Sequence, residues 1–184
     1  MQEIVMDERE QQARSLWQFY GQERPAFAHA PKSGQESVWD YPRPPALVTD
    51  SRTVRVCRMH GEGEVIAHTR QAQRVLETAS PPSFYLPPEA LQVALQVTPG
   101  QTHCEWKGQA EYLVYAGVLV GWRYPEPTNE RFSGLAGWIS FYPNRVACFV
   151  DDERVRPQPG EFYGGWITDE IVGPVKGEAG SGGW

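Results

Sequence analysis

Glycine and proline occur along almost the whole chain, and together they restrict the amount of helix that it can form. The 184 residues include 18 glycines and 16 prolines, nearly one residue in five. These two types make up only about 12% of average proteins. Proline interrupts helices because it lacks a backbone donor, and glycine favours turns. The chain is therefore predicted to be mainly β, with many turns and one or two short helices.

The length fits one domain with extra segments at its ends, because it is too short for two ordinary domains with separate cores. We predict three regions from the composition along the chain. Residues 1–45 form an N-terminal helix and a proline-rich arm, residues 46–160 form the β core domain, and residues 161–184 form a Gly/Trp-rich C-terminal tail.

The arm has two parts with different patterns. Apolar residues at helical spacing predict one short helix over residues 7–20, which ends at Gly21. Five prolines follow within residues 22–45, and they disfavour both helix and central strand pairing. This second part is predicted to lie extended across the body of the protein.

Short apolar segments follow one another through the core at intervals of about ten residues, which is typical of an antiparallel sheet that curls or packs on itself. The predicted strands are Thr53–Arg58, Glu64–His68, Phe84–Leu86, His103–Trp106, Ala110–Tyr115, Val118–Tyr124, Gly137–Tyr142 and Arg145–Val150, with a return through Arg154–Val155. Two other segments have helical signals. The spacing of Gln71–Ala79 favours a short helix over a strand, and Pro88 before Glu89–Leu95 predicts a helical turn.

The charge balance limits the classes of partner. The chain has 17 basic and 23 acidic residues and a net charge of −6, whereas duplex-binding proteins usually carry a basic surface. No nucleic-acid partner is therefore predicted. Arginine is in excess between residues 43 and 76, which would suit an acidic partner or a phosphorylated metabolite, or equally a solvated strand edge. No phosphate-binding glycine motif is present.

The three cysteines, Cys57, Cys104 and Cys148, include no C-x-x-C pair, so neither a structural zinc site nor any other metal site is predicted. The first ten residues are acidic and lack the pattern of a signal peptide, and no apolar run reaches the length of a membrane span. A cytoplasmic location with reduced thiols, and no membrane partner, is predicted.

Three motifs carry a family resemblance. The segment Thr102–Tyr112 reads T-H-C-E-W-K-G-Q-A-E-Y, Trp122–Pro127 reads W-R-Y-P-E-P, and Ile139–Val146 reads I-S-F-Y-P-N-R-V. In combination they resemble the family known as domain of unknown function 427. The Gly/Trp-rich tail and the segment of residues 36–45 resemble those of longer, cyanobacterial members.

The resemblance implies a small, mainly antiparallel, tent-like β fold similar to that of methionine-R-sulfoxide reductases, and it implies no established activity. Some members carry the label of a nucleotidyltransferase-like domain. That chemistry needs paired carboxylates for two metal ions, but this chain has no D-x-D pair, and its one D-x-E, Asp151 to Glu153, lies on a predicted hairpin. The paired zinc-binding cysteines of the reductases are also absent, so neither activity is predicted.

Seven residues of the motif segments form the candidate ligand-binding set. They are Thr102, Cys104, Lys107, Tyr112, Trp122, Tyr124 and Arg145. Lys107 and Arg145 would supply positive charge, the rings would form walls, and a hydroxyl of Thr102 or Tyr112 would orient the ligand. Ordinary structural roles are open for each of them: core packing for the rings, a buried thiol for Cys104 and a salt bridge for Arg145.

The alternation of a regular strand bears on Cys104. If residues 102–107 form one strand, Cys104 faces away from its neighbour His103 and away from Lys107. Since a nucleophilic thiol needs a base or cation beside it, this spacing does not predict a His-Cys pair.

The function predicted first is a small-ligand or metabolite-binding β domain, with any catalysis, cofactor and oligomeric state left open. The alternative is a protein-interaction module, in which the proline-rich arm and the tail with Trp166 and Trp184 bind a partner. Tryptophan is a frequent interface anchor, and proline limits the freedom lost on binding.

Overall fold

The computed structural model describes residues 11–12, 14–60, 63–160 and 162–184, with backbone alone for residues 99–101. The strands within these residues are β1 (Glu36–Ser37), β2 (Ala46–Asp50), β3 (Val54–Arg58), β4 (Val65–Thr69), β5 (Ala72–Glu77), β6 (Ser80–Leu86), β7 (Gln96–Cys104), β8 (Gly108–Tyr115), β9 (Val118–Arg123), β10 (Ile139–Phe141), β11 (Val146–Val150), β12 (Glu153–Arg154), β13 (Arg156–Pro157), β14 (Trp166–Ile167) and β15 (Ile171–Val172). Short 3-10 helices cover Val38–Asp40, Pro88–Ala90, Glu130–Leu135 and Ser181–Gly183.

Two antiparallel sheets form the body. The larger has seven strands in the order β2-β5-β6-β10-β9-β8-β7, and the smaller has four in the order β12-β11-β3-β4. Both are open sheets rather than barrels, because their edge strands do not pair with each other. Two further pairs form small sheets of their own: β1 of the arm pairs with β15 of the tail, and β13 pairs with β14. The predicted mainly β, antiparallel fold class is confirmed.

The main core lies between the two sheets. Val54 and Val56 of the smaller sheet pack with Phe84 and Leu86 of the larger one. The strands predicted over Thr53–Arg58 and Glu64–His68 correspond to β3 and β4, which pair as a hairpin. The tail completes this core, because Trp166 is fully buried, stacks on Phe84 at a centroid distance of 4.8 Å and donates to the carbonyl of Phe141. Burying each large apolar side chain contributes roughly 1.5–3 kcal/mol.

The arm and the tail lie against each other. β1 in the arm pairs in parallel with β15 in the tail. Trp39 is 1% exposed and donates through its indole nitrogen to the carbonyl of Pro174. Phe27 stacks on Trp184 with ring centroids 5.3 Å apart. The described parts of the arm and the tail thus pack against each other.

The helix predicted over residues 7–20 falls partly outside the described residues, which exclude 1–10 and Ala13. Residues 11, 12 and 14 are helical, but the helix does not reach Tyr20 as predicted. The reason is that Trp17 leaves the helical path and packs edge-on against Trp106, at a centroid distance of 5.7 Å.

The helix predicted over Gln71–Ala79 is wrong. This segment is strand β5, which pairs with β2 on one side and β6 on the other. The chain then turns at Ala79, whose φ is +68°. Ladder hydrogen bonds on both edges outweigh the weak helical spacing of four small apolar residues. The helical turn predicted over Glu89–Leu95 is limited to the 3-10 helix Pro88–Ala90.

The strand predicted over His103–Trp106 is also displaced. β7 begins earlier and ends at Cys104, and residues 105–107 form the turn that leads into β8. Gly108 closes this turn with a φ of +86°, a conformation that favours glycine. The prediction that Lys107 faces away from Cys104 was therefore wrong, because the alternation of a strand does not apply beyond Cys104.

We expect replacement of Trp166 by alanine to lower the free energy of unfolding by about 3–5 kcal/mol, because it leaves a cavity in the main core. The control is Phe162→Ala in the same tail, since Phe162 is 71% exposed and its loss should change stability by less than about 0.5 kcal/mol. Urea unfolding measures both. Equal, small effects would contradict the assignment of the tail to the core.

Candidate functional site

A row of opposed side chains crosses the face of the seven-stranded sheet that is turned away from the main core. Tyr85 of β6 lies opposite Ser140 of β10, Ser140 opposite Trp122 of β9, and Trp122 opposite Tyr112 of β8. Residues opposed in this way share a face, with Cβ atoms about 4.5–5.5 Å apart. Their strand neighbours, such as Phe84, point into the main core. We call this surface, together with Lys107, the Lys107 face.

Lys107 reaches this face from the turn between β7 and β8. Its side chain is 7% exposed. Its Nζ lies 5.5 Å from the ring centroid of Tyr124 and 5.3 Å from that of Phe132. The turn itself is tight, because a Cβ at Gly108 would come within 2.8 Å of the side chain of Thr128. Tight backbone packing thus fixes the position from which Lys107 extends.

Polar groups surround the ammonium of Lys107. It interacts with the sulfur of Cys104, which is half-buried. The hydroxyl of Tyr124 interacts with the same sulfur and with the hydroxyl of Tyr85. Tyr85 in turn accepts a hydrogen bond from the indole nitrogen of Trp122 at 3.3 Å. A thiol, two phenols and an indole therefore form one connected network around a single cation.

The network determines the charge state of its members. Burial lowers the pKa of Lys107, but attraction to Tyr85, Cys104 and Glu77 outweighs burial and raises that pKa above its ordinary value. Burial also raises the pKa of both Tyr85 and Tyr124. At neutral pH the face therefore contains an ammonium and neutral phenol groups.

Glu77 is the carboxylate that acts on the charge of Lys107, yet its own contacts are with other residues. The indole nitrogen of Trp106 donates to its carboxylate at 3.3 Å, and Arg43 lies 3.7 Å from the same oxygen. Among the described residues, no carboxylate forms an ion pair with Lys107. The ammonium is thus buried without a full counter-charge.

The other end of the face contains the second predicted cation. Trp122 and Tyr142 pack with ring centroids 4.6 Å apart. The guanidinium carbon of Arg145, which is half-buried, lies 5.8 Å from the ring centroid of Tyr142. The tail covers part of this end, since a Cβ at Gly164 would come within 2.2 Å of the Trp122 ring.

Ser140 has an unusual position in the middle of the row. It is fully buried, and its Oγ has no hydrogen-bond partner within the described residues. The strands are close here, because a Cβ at Gly121 would come within 2.2 Å of the Ser140 carbonyl oxygen. An unpaired buried hydroxyl costs about 1–3 kcal/mol, so the face carries a second polar group that the protein leaves unsatisfied.

A separate cavity of about 430 Å³ lies where the arm, the larger sheet and the tail meet. Its charged residues pair with one another: Arg52 with Asp50 at 2.6 Å and with Glu170 at 2.7 Å, and Arg74 with Glu36 and Asp50. Two arginines of the basic stretch noted in the sequence are therefore neutralised inside the protein. This cluster joins three segments of the chain.

The sequence was compared with known proteins. A family model described as a domain of unknown function (DUF427) matches residues 46–152. The chain belongs to this family. It is also 30% identical over 80 residues to lanosterol synthase erg7A of Aspergillus fumigatus, a match that covers 39% of this chain and 10% of that protein. This second similarity is too short to bear on the activity of the chain.

The DUF427 segment contains all seven predicted ligand-binding residues. Cys104, Lys107, Trp122 and Tyr124 share the network described above. Tyr112 packs against the same rings and donates to the hydroxyl of Thr102 at 3.2 Å, and Arg145 joins through Tyr142. The structure thus brings residues of three strands, two turns and the segment that follows β9 to one face.

Sequence reasoning missed four members of the face: Glu77, Tyr85, Phe132 and Ser140. Tyr85 and Ser140 had a usable signal, because each alternates with apolar residues in a predicted strand and so faces the opposite side. Glu77 was hidden by the wrong helix prediction. Phe132 lies in a 3-10 helix outside any recognised motif.

Within the described residues, no helix is long and apolar enough to cross a bilayer. No group of three or more His, Cys, Asp or Glu residues is placed to hold a metal ion in that part of the chain.

The tyrosines of the DUF427 segment predict a loss of stability at high pH. Burial raises the pKa of Tyr142 from 10.0 to about 12. Above about pH 10 the unfolded chain loses this proton while the folded chain keeps it, so the free energy of unfolding falls by up to about 1.4 kcal/mol per pH unit. Urea unfolding between about pH 9 and pH 11 should show a shallower decline for Tyr142→Phe than for the wild type. Parallel pH curves would contradict this assignment.

Proposed function

We propose that this DUF427 protein binds a small molecule with an anionic group at the Lys107 face. The observation that carries the proposal is the buried ammonium of Lys107, which has no carboxylate partner among the described residues. Desolvating an ion costs several kcal/mol. The contacts with Tyr124 and Phe132 offset only about 0.5–2 kcal/mol each. A bound anion would supply the missing counter-charge.

The surrounding groups fit the rest of such a ligand. Trp122, Tyr124 and Tyr142 offer aromatic walls, and each keeps between 6% and 9% of its surface exposed. Arg145 is half-buried at the Tyr142 end and offers a second cation. Apolar walls with a few convergent polar groups are the usual composition of small-molecule sites.

The alternative of a protein-interaction module has less support in the arm and the tail. Trp39 is 1% exposed and Trp166 is fully buried, so both are used inside the fold. Trp184 stacks on Phe27. The large exposed ring of the tail is Phe162, which is a weaker anchor than tryptophan. An interaction role stays a prediction that Phe162→Ser would test by loss of a co-purifying partner.

The binding proposal is tested by thermal unfolding of the full chain against a panel of small carboxylates and phosphate esters. At least one compound should raise the Tm of the wild type. Lys107→Leu should weaken binding of that compound about 10- to 100-fold, because a hydrogen bond to a charged group contributes about 1.5–3 kcal/mol. Without ligand, this variant should be at least as stable as the wild type, since it removes a buried unpaired charge.

The matched control is Lys32→Leu, which removes an exposed lysine of the arm and should leave both binding and stability unchanged. Arg145→Ala is expected to weaken binding less than Lys107→Leu, because its guanidinium is partly solvated. If no compound of the panel shifts the Tm of the wild type, or if Lys107→Leu binds as tightly, the proposal is wrong.

A further inference from the structure

Cys104 differs from the other two cysteines in both access and surroundings. Cys57 is 3% exposed and Cys148 fully buried, and both lie in the smaller sheet. Burial raises the pKa of the Cys148 thiol and so keeps it protonated and unreactive. Cys104 is half-buried at the end of β7, in the larger sheet. It is therefore the cysteine that a small oxidant reaches most easily.

The group beside Cys104 points to an anion at this position. Lys107 is 7% exposed, its Nζ lies 5.5 Å from the ring centroid of Tyr124, and Cys104 packs in the same aromatic cluster as Tyr124. The ammonium interacts with the Cys104 sulfur and has no carboxylate partner among the described residues. The hydroxyl of Tyr124 interacts with the same sulfur. A sulfur that gained negative charge would thus meet a cation and a hydrogen-bond donor that are already in place.

We propose that Cys104 is a site of modification by hydroperoxides, and that its sulfinate form becomes the internal counter-ion of Lys107. The site takes hydrogen peroxide or another small hydroperoxide as oxidant. The modification needs no other ligand, so it stands independently of the proposed binding function. Only its consequence for binding rests on that function.

The chemistry proceeds in two balanced steps. In the first, the sulfur attacks one peroxide oxygen, the O–O bond breaks, and the thiol becomes a sulfenic acid while water leaves. A second peroxide adds a second oxygen in the same way and gives the sulfinic acid. In each step the sulfur loses two electrons and the peroxide gains them. The sulfinic proton is released to solvent, and the anion stays beside Lys107.

The fold favours this route over disulfide formation. A sulfenic acid is normally captured by a nearby thiol. Cys57 and Cys148 both belong to the opposite sheet, and Cys148 packs in the main core, whereas Cys104 packs in the cluster on the other side of the larger sheet. No second cysteine of the described residues is placed to resolve the oxidised Cys104.

An oxidised Cys104 would change the Lys107 face in a defined way. The sulfinate would pair with the Lys107 ammonium that the proposed ligand needs, and its negative charge would repel the anionic group of that ligand. Peroxide would therefore close the binding site from inside, without any movement of the sheet. Because sulfinic acids are not reduced by ordinary thiols, this closure would be lasting.

The test treats the full chain with hydrogen peroxide and follows each cysteine by peptide mass spectrometry. Two oxygen atoms should appear on Cys104 well before Cys57 or Cys148 gains any. The control Cys104→Ser has no thiol at this position but retains the three methionines of the chain. Subtracting its changes therefore isolates the effect of oxidation at Cys104.

The role of Lys107 is tested by melting temperatures before and after oxidation to the same extent. Oxidised wild type should keep its Tm, because the sulfinate is paired. Oxidised Lys107→Leu should lose at least about 4 °C, because the same anion is buried without a partner. If Cys104 in Lys107→Leu resists oxidation altogether, the ammonium is needed to form the product, which also supports the proposal.

Two results would overturn the proposal. One is oxidation of Cys57 or Cys148 ahead of Cys104. The other is an equal loss of Tm in the oxidised wild type and oxidised Lys107→Leu, which would show that Lys107 does not pair with the sulfinate. Neither the mass spectrometry nor the melting temperatures require a ligand. If no compound of the panel binds, the proposed function is wrong, but the oxidation proposal is still tested by these two measurements.

Discussion

The seven-stranded sheet has two covered faces, and the remaining architecture depends on this constraint. In β6, Phe84 and Leu86 point into the main core, and Tyr85 between them points to the Lys107 face. A sheet that is wet on one side needs only one apolar set of residues. Here the residues on both faces of the sheet must be apolar, and those on the Lys107 face are mainly aromatic, some with hydroxyl groups. Apart from the half-buried Cys104, the polar network around Lys107 is therefore buried, and there its interactions are strong and unpaired groups are costly.

A local irregularity makes the two faces compatible. The register between β8 and β9 shifts at Leu113 and Val114, so β9 has one residue more than its partner. As a result, Val120 packs in the main core while Trp122, two positions later, packs on the opposite face. Without such a bulge, residues 120 and 122 would share one face. The bulge thus turns the aromatic end of β9 toward Lys107.

The sequence was sufficient to predict β3, β4, β8, β9, β10 and β11, because their apolar alternation and their turn residues are local signals, but it missed β2 and most of β7. It failed where pairing partners decide the outcome, as in β5, whose spacing resembles a helix until β2 and β6 are placed on its edges. The same division between local signals and distant contacts applies to the candidate site. The motif residues were found, but Glu77 and Ser140 acquire their roles only through neighbours that are distant in the chain.

The segment matched by the DUF427 family and the segments outside it contribute different parts of the Lys107 face. Both cations and most of the rings belong to residues 46–152. The residues that cover this face come from the arm and the tail. Trp17 of the arm packs on Trp106, and the Gly164 backbone of the tail packs on Trp122. The chemistry of the face is thus encoded in the family segment, whereas its access to solvent depends on how the arm and the tail are held. Arg52 pairs with Asp50 of β2 and with Glu170 of the tail, and Arg74 of β5 pairs with Glu36 of the arm, so these ion pairs attach both segments to the larger sheet.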